Sequence, residues 1–264
     1  MKVSHEVPLA YLDDSLVYND YDYLLPHLYD KHEKYKEFFL KSKEAGRYII
    51  MDNSLHELGK AYDTTRMLEI INELKPNEFI IPDVWENHTL SMRNAKEWSQ
   101  INLPEGVTKV AVVQGKSLGD IIECYHVYKM LGYEKIAFSY GASYYNDLIN
   151  HPNKDQGKAL GRIYVIMKLI EDGIIQSADR IHLLGCALPQ EFQFYKNISQ
   201  IETIDTSNPI MAAFEKQYYN HFGLEVKPKV KIDDVFESNF DDEIQDFILY
   251  NTTEFKLINN IIEV

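Results

Sequence analysis

From residue 47 onward, the apolar positions along the chain follow two alternating rhythms. Short aliphatic runs at 47–51, 78–81, 109–113, 135–138, 180–184 and 201–205 read as strands buried on both faces. Between them, apolar residues recur at helical spacing. A helix is expected over 30–45, closed by Gly46, and another begins at Asp63 and Thr64 with Met67, Leu68, Ile71 and Leu74 on one face. Further helices are expected over 90–98, from the Ser117 and Asp120 capping pair to Gly132, over 159–171 and over 189–197. In the 159–171 helix the apolar stripe is Leu160, Ile163, Tyr164, Met167 and Ile170.

Six successive strand-then-helix units imply a parallel sheet, and their number and even spacing predict an α/β fold of the (β/α)8 TIM-barrel type over an open doubly wound sheet. Two strands remain to be placed. One is expected in the tyrosine-rich first 30 residues and another near Leu224-Glu225-Val226. The barrel would occupy residues 1–231, with 232–264 an acidic segment packed on it or extending from it.

In such barrels the loops after the carboxyl ends of the strands build the active site. That rule brings Asp52, Asp83, Gln114, the Ser139-Tyr140-Gly141 turn, Gly185 and Asp205 to one mouth. A helix cap or a turn accounts for any one of these residues alone, Asp205 in Ile201-Glu202-Thr203-Ile204-Asp205-Thr206-Ser207-Asn208-Pro209 included. Three carboxylates and an amide in one cleft point instead to acid–base and nucleophilic chemistry.

Composition narrows the class. With 264 residues, 45% hydrophobic content and no Gly/Ser/Pro-rich linker, the chain suits one catalytic-size domain. It has no run of about 18 apolar residues and no signal-peptide pattern at its start, so a soluble, cytoplasmic protein with no membrane partner is expected. Cys124 and Cys186 stand far apart, which excludes a disulfide framework and a Cys-rich zinc site, and no metal or cofactor is expected. The net charge of −14 is uneven: residues 232–264 hold nine acids against Lys256, a net of −8. Residues 31–47 carry Lys31, Lys34, Lys36, Lys41, Lys43 and Arg47 against three acids, and read either as a phosphate-facing patch or as a solvated helix face with ordinary ion pairs. Tyr11, Tyr18, Tyr21, Tyr23 and Tyr29 read as packing residues or as platforms for bases.

Taken in order, the strand-end motifs resemble those of the tRNA-guanine transglycosylases and their DNA-acting relatives. The family's strand ending Met-Asp-Ser-Gly-Gly is matched by Ile50-Met51-Asp52-Asn53-Ser54, and its purine-holding Asp by Ile81-Pro82-Asp83. Its Val-Gln-Gly is present as Val113-Gln114-Gly115, and its His-Tyr-Leu-Met-Gly strand corresponds to His182-Leu183-Leu184-Gly185 with Pro189 beyond. The nucleophile run Asp-Met-Phe-Asp-Cys-Val-x-Pro is similar to Glu202-Thr203-Ile204-Asp205-Thr206-Ser207-Asn208-Pro209, so the resemblance spans roughly residues 48 to 213. Three departures stand out: Asn53-Ser54 replaces the glycine pair, the zinc cluster of three cysteines and a histidine is missing, and no appended RNA-binding domain fits. A short barrel without zinc is most similar to the phage-type DNA-guanine transglycosylases, which exchange guanine in DNA for a 7-deazaguanine of the preQ0 type.

The resemblance implies a set of roles. Asp205 would be the nucleophile that captures the sugar, and Asp52 the acid and base that serves the leaving and incoming bases. Asp83 would accept from the N1–H and exocyclic amine of guanine, Gln114 would donate to its O6, and Tyr140, Gly141 and Gly185 would complete the binding of the base. The implied partners are DNA, single-stranded or transiently opened, and a free 7-deazaguanine base. The same residues would serve exchange on tRNA or on nucleosides. In a different class, the chain would be a catalytically silent partner barrel that docks a protein through its acidic tail, a reading that the presence of both Asp52 and Asp205 disfavours.

Overall fold

The computed structural model describes residues 1–262. Its strands are β1 (Lys2–Ser4), β2 (Asp22–Leu24), β3 (Ile49–Met51), β4 (Glu78–Ile80), β5 (Thr108–Val113), β6 (Lys135–Ser139), β7 (Arg180–Leu184) and β8 (Ile201–Asp205). They lie in the order β1-β8-β7-β6-β5-β4-β3-β2, every pairing is parallel, and helices fill the connections. The sheet therefore curls into a nearly closed (β/α)8 barrel. At the remaining seam, side chains stand in for a ladder between β1 and β2. Asn19 accepts from the His5 N–H at 2.8 Å and donates to the His5 carbonyl at 2.9 Å, while Asp20 accepts from the Val3 N–H at 2.9 Å.

All six strands expected after residue 47 are present, and both missing strands lie in the first 30 residues. None forms near Leu224-Glu225-Val226. The Gln190 amide takes both backbone groups of Leu224, donating to its carbonyl at 2.7 Å and accepting from its N–H at 3.1 Å, which removes what a ladder would need.

Two other expectations change. Helix Lys154–Glu171 buries Ala159, Arg162, Val165, Ile166 and Leu169, whereas Tyr164 and Met167 of the expected stripe are exposed. The helix is rotated because Gly157 and Gly161, four apart, press it against residues 145–149, leaving no room for a Cβ at either glycine. The basic groups of 31–47 are engaged locally: Lys31 with Glu237, Lys36 with Glu73, Lys41 with Glu37, Arg47 with Asp22, and Lys34 and Lys43 with backbone carbonyls. That stretch is a paired helix face, not a phosphate patch. The five early tyrosines are all buried, so they pack in the core.

Residues 232–262 are integral to this architecture. Helix Asp242–Ile258 packs on helix Asn208–Phe214 and buries Ile244, Phe247, Ile248 and Phe255. Asn251, within it, donates to the Gln217 carbonyl at 2.9 Å and accepts from the Tyr219 N–H at 2.9 Å. No helix among the described residues is long and apolar enough to cross a membrane.

Charged groups close the barrel at the amino-terminal ends of the strands. Lys135 and Glu78, both fully buried, pair at 2.6 Å; Arg180 reaches Glu78 at 2.8 Å, and Glu202 joins Lys135 at 3.0 Å. Arg180 and Glu202 are partly exposed, so the cost of removing Lys135 falls on Glu78, which stays buried with Arg180 as its remaining partner. Lys135→Met should lower the unfolding free energy by about 3–5 kcal/mol, read from urea denaturation; a loss below about 1 kcal/mol would mean that the floor is hydrated.

Candidate functional site

The opposite end of the barrel, at the carboxyl ends of the strands, opens into a cavity of about 360 Å³. The alternation of a strand explains its lining: Asp52 lies two residues beyond Ile50, Gln114 beyond Val112, and Asp205 beyond Thr203, so each continues an inward-facing row to the carboxyl end of its strand. Asp52, Asp83, Gln114, Tyr140, Gly185 and Asp205 all line this space. Gly141 sits behind it, where the Trp85 indole covers its Cα so closely that a Cβ would come within 2.8 Å of the ring.

Each carboxylate has its own donors. Asp52 accepts from the Tyr23 hydroxyl at 3.0 Å and from the Ser54 N–H at 2.9 Å. Ser54 reaches that position by taking a left-handed backbone, φ 59°, which costs any residue but glycine. Asp83 is held between two amides, Asn53 Nδ2 and Gln114 Nε2, each at 2.6 Å. Both amides are fixed in orientation from behind: the Asn53 carbonyl accepts from the Leu55 N–H and the Gln114 carbonyl from the Glu86 N–H, each at 2.9 Å. Gln114 therefore keeps one N–H for a ligand. Asp205 meets His182 Nε2 at 3.0 Å, while His182 Nδ1 faces the Thr203 hydroxyl at 2.8 Å.

Gly185 carries the left-handed φ of +57°, and a Cβ there would lie 2.5 Å from the Tyr140 ring. Its turn is supported from below by Arg162. This buried guanidinium donates to the carbonyls of Leu184 at 2.9 Å and Gly185 at 2.8 Å, and pairs with Glu191 at 2.6 Å. Arg162 thus fixes the Leu184-Gly185 turn beside Asp205, the strand partner of Leu184.

Confinement sets the electrostatics. Burial pushes the Asp83 carboxyl up to about 7 against the pull of its two amide donors. Burial raises Asp205 well above the carboxylate range, helped by the nearby Asp52 charge, and burial raises Asp52 as well. Glu6 and Glu57, on the same wall, are raised by burial and by the other acids. Burial lowers His182 to about 3, so its ring is neutral and carries one N–H.

No family model and no curated protein matches this chain. Function rests on the geometry. Among the described residues no three or more His, Cys, Asp or Glu side chains are grouped to hold a metal ion.

Sequence pattern alone missed Glu6, Tyr23, Asn53, Glu57, Trp85 and Arg162, and left His182 only as part of a strand. Glu57 lies on the short helix Leu55–Leu58 directly after the Asp52 loop, and its Oε2 is buried with no hydrogen-bond partner among the described residues. Adjacency to Asp52-Asn53 was the available signal for it. Arg162 gave none, because a buried arginine inside a helix looks like a solvated one.

The Asp83 carboxyl should lose its proton near pH 7 rather than near pH 4. Difference infrared titration of the carboxyl band, comparing the wild type with Asp83→Asn, measures this; a band gone by pH 5 would contradict the confinement.

Proposed function

We propose that this barrel exchanges a guanine on a nucleic-acid sugar for a free 7-deazaguanine base, through a covalent bond between sugar C1′ and Asp205. The observation that carries the reading is the pair Asp52 and Asp205, two carboxyls raised by burial in one cavity, the Asp52 charge adding to the rise of Asp205, beside a third carboxylate held by amides. Two such neighbours retain a proton between them, and the exchange requires that proton on Asp52 and the charge on Asp205 when the sugar arrives. The cavity falls in the size range of a nucleobase or small-ligand pocket.

The step balances without another reactant. As an Asp205 oxygen bonds C1′, the C1′–N9 bond breaks, its electron pair leaves with guanine, and guanine takes a proton from Asp52. In the second half the incoming base gives its N9 proton to Asp52, N9 bonds C1′, and Asp205 departs as a carboxylate. His182 suits the nucleophile. With the Thr203 hydroxyl donating to Nδ1, the single N–H sits on Nε2 and points at Asp205, which keeps that carboxylate an acceptor.

Asp83 offers two oxygens to the adjacent N1–H and amine of guanine, and Gln114 has its remaining N–H for O6. Adenine has a lone pair at N1 where guanine has N1–H and would turn it toward an Asp83 oxygen, a repulsion that costs more than a lost contact alone. The left-handed Ser54 also supports the family resemblance, since it occupies a glycine-favoured conformation in the loop where the family has glycines. DNA is the acceptor we propose, on the resemblance to the DNA-acting members of that family. Guanine must leave the stack to reach so enclosed a site, so single-stranded or opened DNA is the substrate form.

Incubating the protein with labelled 7-deazaguanine and either single-stranded DNA or tRNA tests this. Label should enter DNA, and Asp205→Asn should reduce incorporation by at least about 10³-fold. Label in tRNA alone would overturn the acceptor, and an active Asp205→Asn would overturn the nucleophile.

A further inference from the structure

Between Gly223 and helix Ile232–Val235 the chain bends at Glu225 and Val226 and then lines the mouth as Lys227-Pro228-Lys229-Val230-Lys231. Its residues alternate: Pro228 is buried and Val230 half-buried against the barrel, while Lys229 and Lys231 are exposed. The backbone is tied down by acids. Glu215 accepts from the N–H groups of Lys229 and Val230 at 2.5 and 2.9 Å, and Asp155 accepts from the Lys227 N–H at 3.2 Å. The three ammonium groups are left over. Among the described residues none of them pairs with a carboxylate; Lys227 lies over the Tyr140 ring, 4.2 Å from its centroid, and bonds its hydroxyl. Lys227, Lys229 and Lys231 line the cavity together with His56, whose pKa is lowered by burial first and by the Lys227 and Lys231 charges after it.

What sets these three cations apart is their place, together at the mouth of a cavity also lined by Glu6, Asp52, Glu57, Asp83, Asp205 and Asp233 in a chain of net charge −14. We propose that the strap Lys227–Lys231 is a phosphate clamp, holding the phosphodiester backbone of a single nucleic-acid strand at the rim while one base enters the acidic cavity. This assignment rests on the base-exchange reading for what enters the cavity. The two zones divide a nucleotide by charge: a neutral base tolerates the acids, and the phosphates, which they would repel, meet the lysines. The fixed backbone matters as well. Cations presented from a tethered strap lose little freedom on binding, unlike those on a mobile loop.

The test measures binding of a fluorescent single-stranded guanine-containing oligodeoxynucleotide, and of the same sequence as RNA, between 50 and 200 mM KCl. K229A/K231A is compared with the wild type, and K41A/K43A, on helix Glu33–Glu44, controls for net charge. Each phosphate-bound lysine on a single strand contributes roughly 0.7 to the slope of log Kd against log salt, so the strap variant should lose about 1.4. The wild type would then weaken about sevenfold more than the variant over this range. The control should keep the full slope, and thermal unfolding checks that each variant folds. Equal slopes for wild type and strap variant, equal losses in the control, or no binding to either oligonucleotide would overturn the clamp. Lysine-dependent binding without base exchange would keep the clamp and remove the exchange reading; exchange at wild-type KM in the strap variant would do the reverse.

Discussion

Crowding of carboxylates in one buried cavity is the constraint on which the rest of this molecule turns. Glu6, Asp52, Glu57, Asp83 and Asp205 converge where water is scarce, and burial raises the proton affinity of every one of them. The direction of that shift fixes its effect on stability. A carboxyl raised in the folded state resists ionisation there, so Asp83 disfavours the fold increasingly as pH rises from about 4 through about 7. A site of this kind is an expense that the scaffold must offset.

The offset is visible at both ends of the barrel. At the floor, Lys135, Glu78, Arg180 and Glu202 satisfy one another, so the strands enter the barrel in fixed register. Beneath the mouth, Arg162 gathers three backbone carbonyls and Glu191, which holds the Gly185 turn against Asp205. Amide and hydroxyl donors then aim at each carboxylate from rigid positions: Asn53 and Gln114 at Asp83, Tyr23 at Asp52, His182 at Asp205. Pre-set donors of this sort let a cavity keep charge where solvent cannot.

What the sequence disclosed follows from the physics of each element. Strands β3 to β8 were legible because a parallel barrel buries both faces and writes continuous aliphatic runs, and a polar residue ending such a run is bound for the mouth. β1 and β2 were not. Each has only three residues, and their seam is closed by Asn19 and Asp20 side chains, which leave no hydrophobic period. The stripe of helix Lys154–Glu171 misled because two glycines and a buried arginine turned its packed face away from its most apolar one. Asp52, Asp83, Gln114 and Asp205 came from strand ends, whereas Glu6 and Glu57 come from loops and a short helix where no period announces them. The three strap lysines were hidden for a different reason: a Lys-x-Lys-x-Lys spacing reads as ordinary surface until the fold shows that nothing acidic pairs with it.

The central chemical claim is that Asp205 becomes covalently bonded to a sugar carbon. Intact-protein and peptide mass spectrometry, on protein quenched with a guanine-containing single-stranded oligodeoxynucleotide and no incoming base, addresses it directly. A nucleophilic Asp205 predicts the oligonucleotide mass on the peptide spanning β8, less one guanine, and its disappearance when 7-deazaguanine is added before the quench. An adduct on Asp52, or release of guanine with no adduct on either residue, would contradict it.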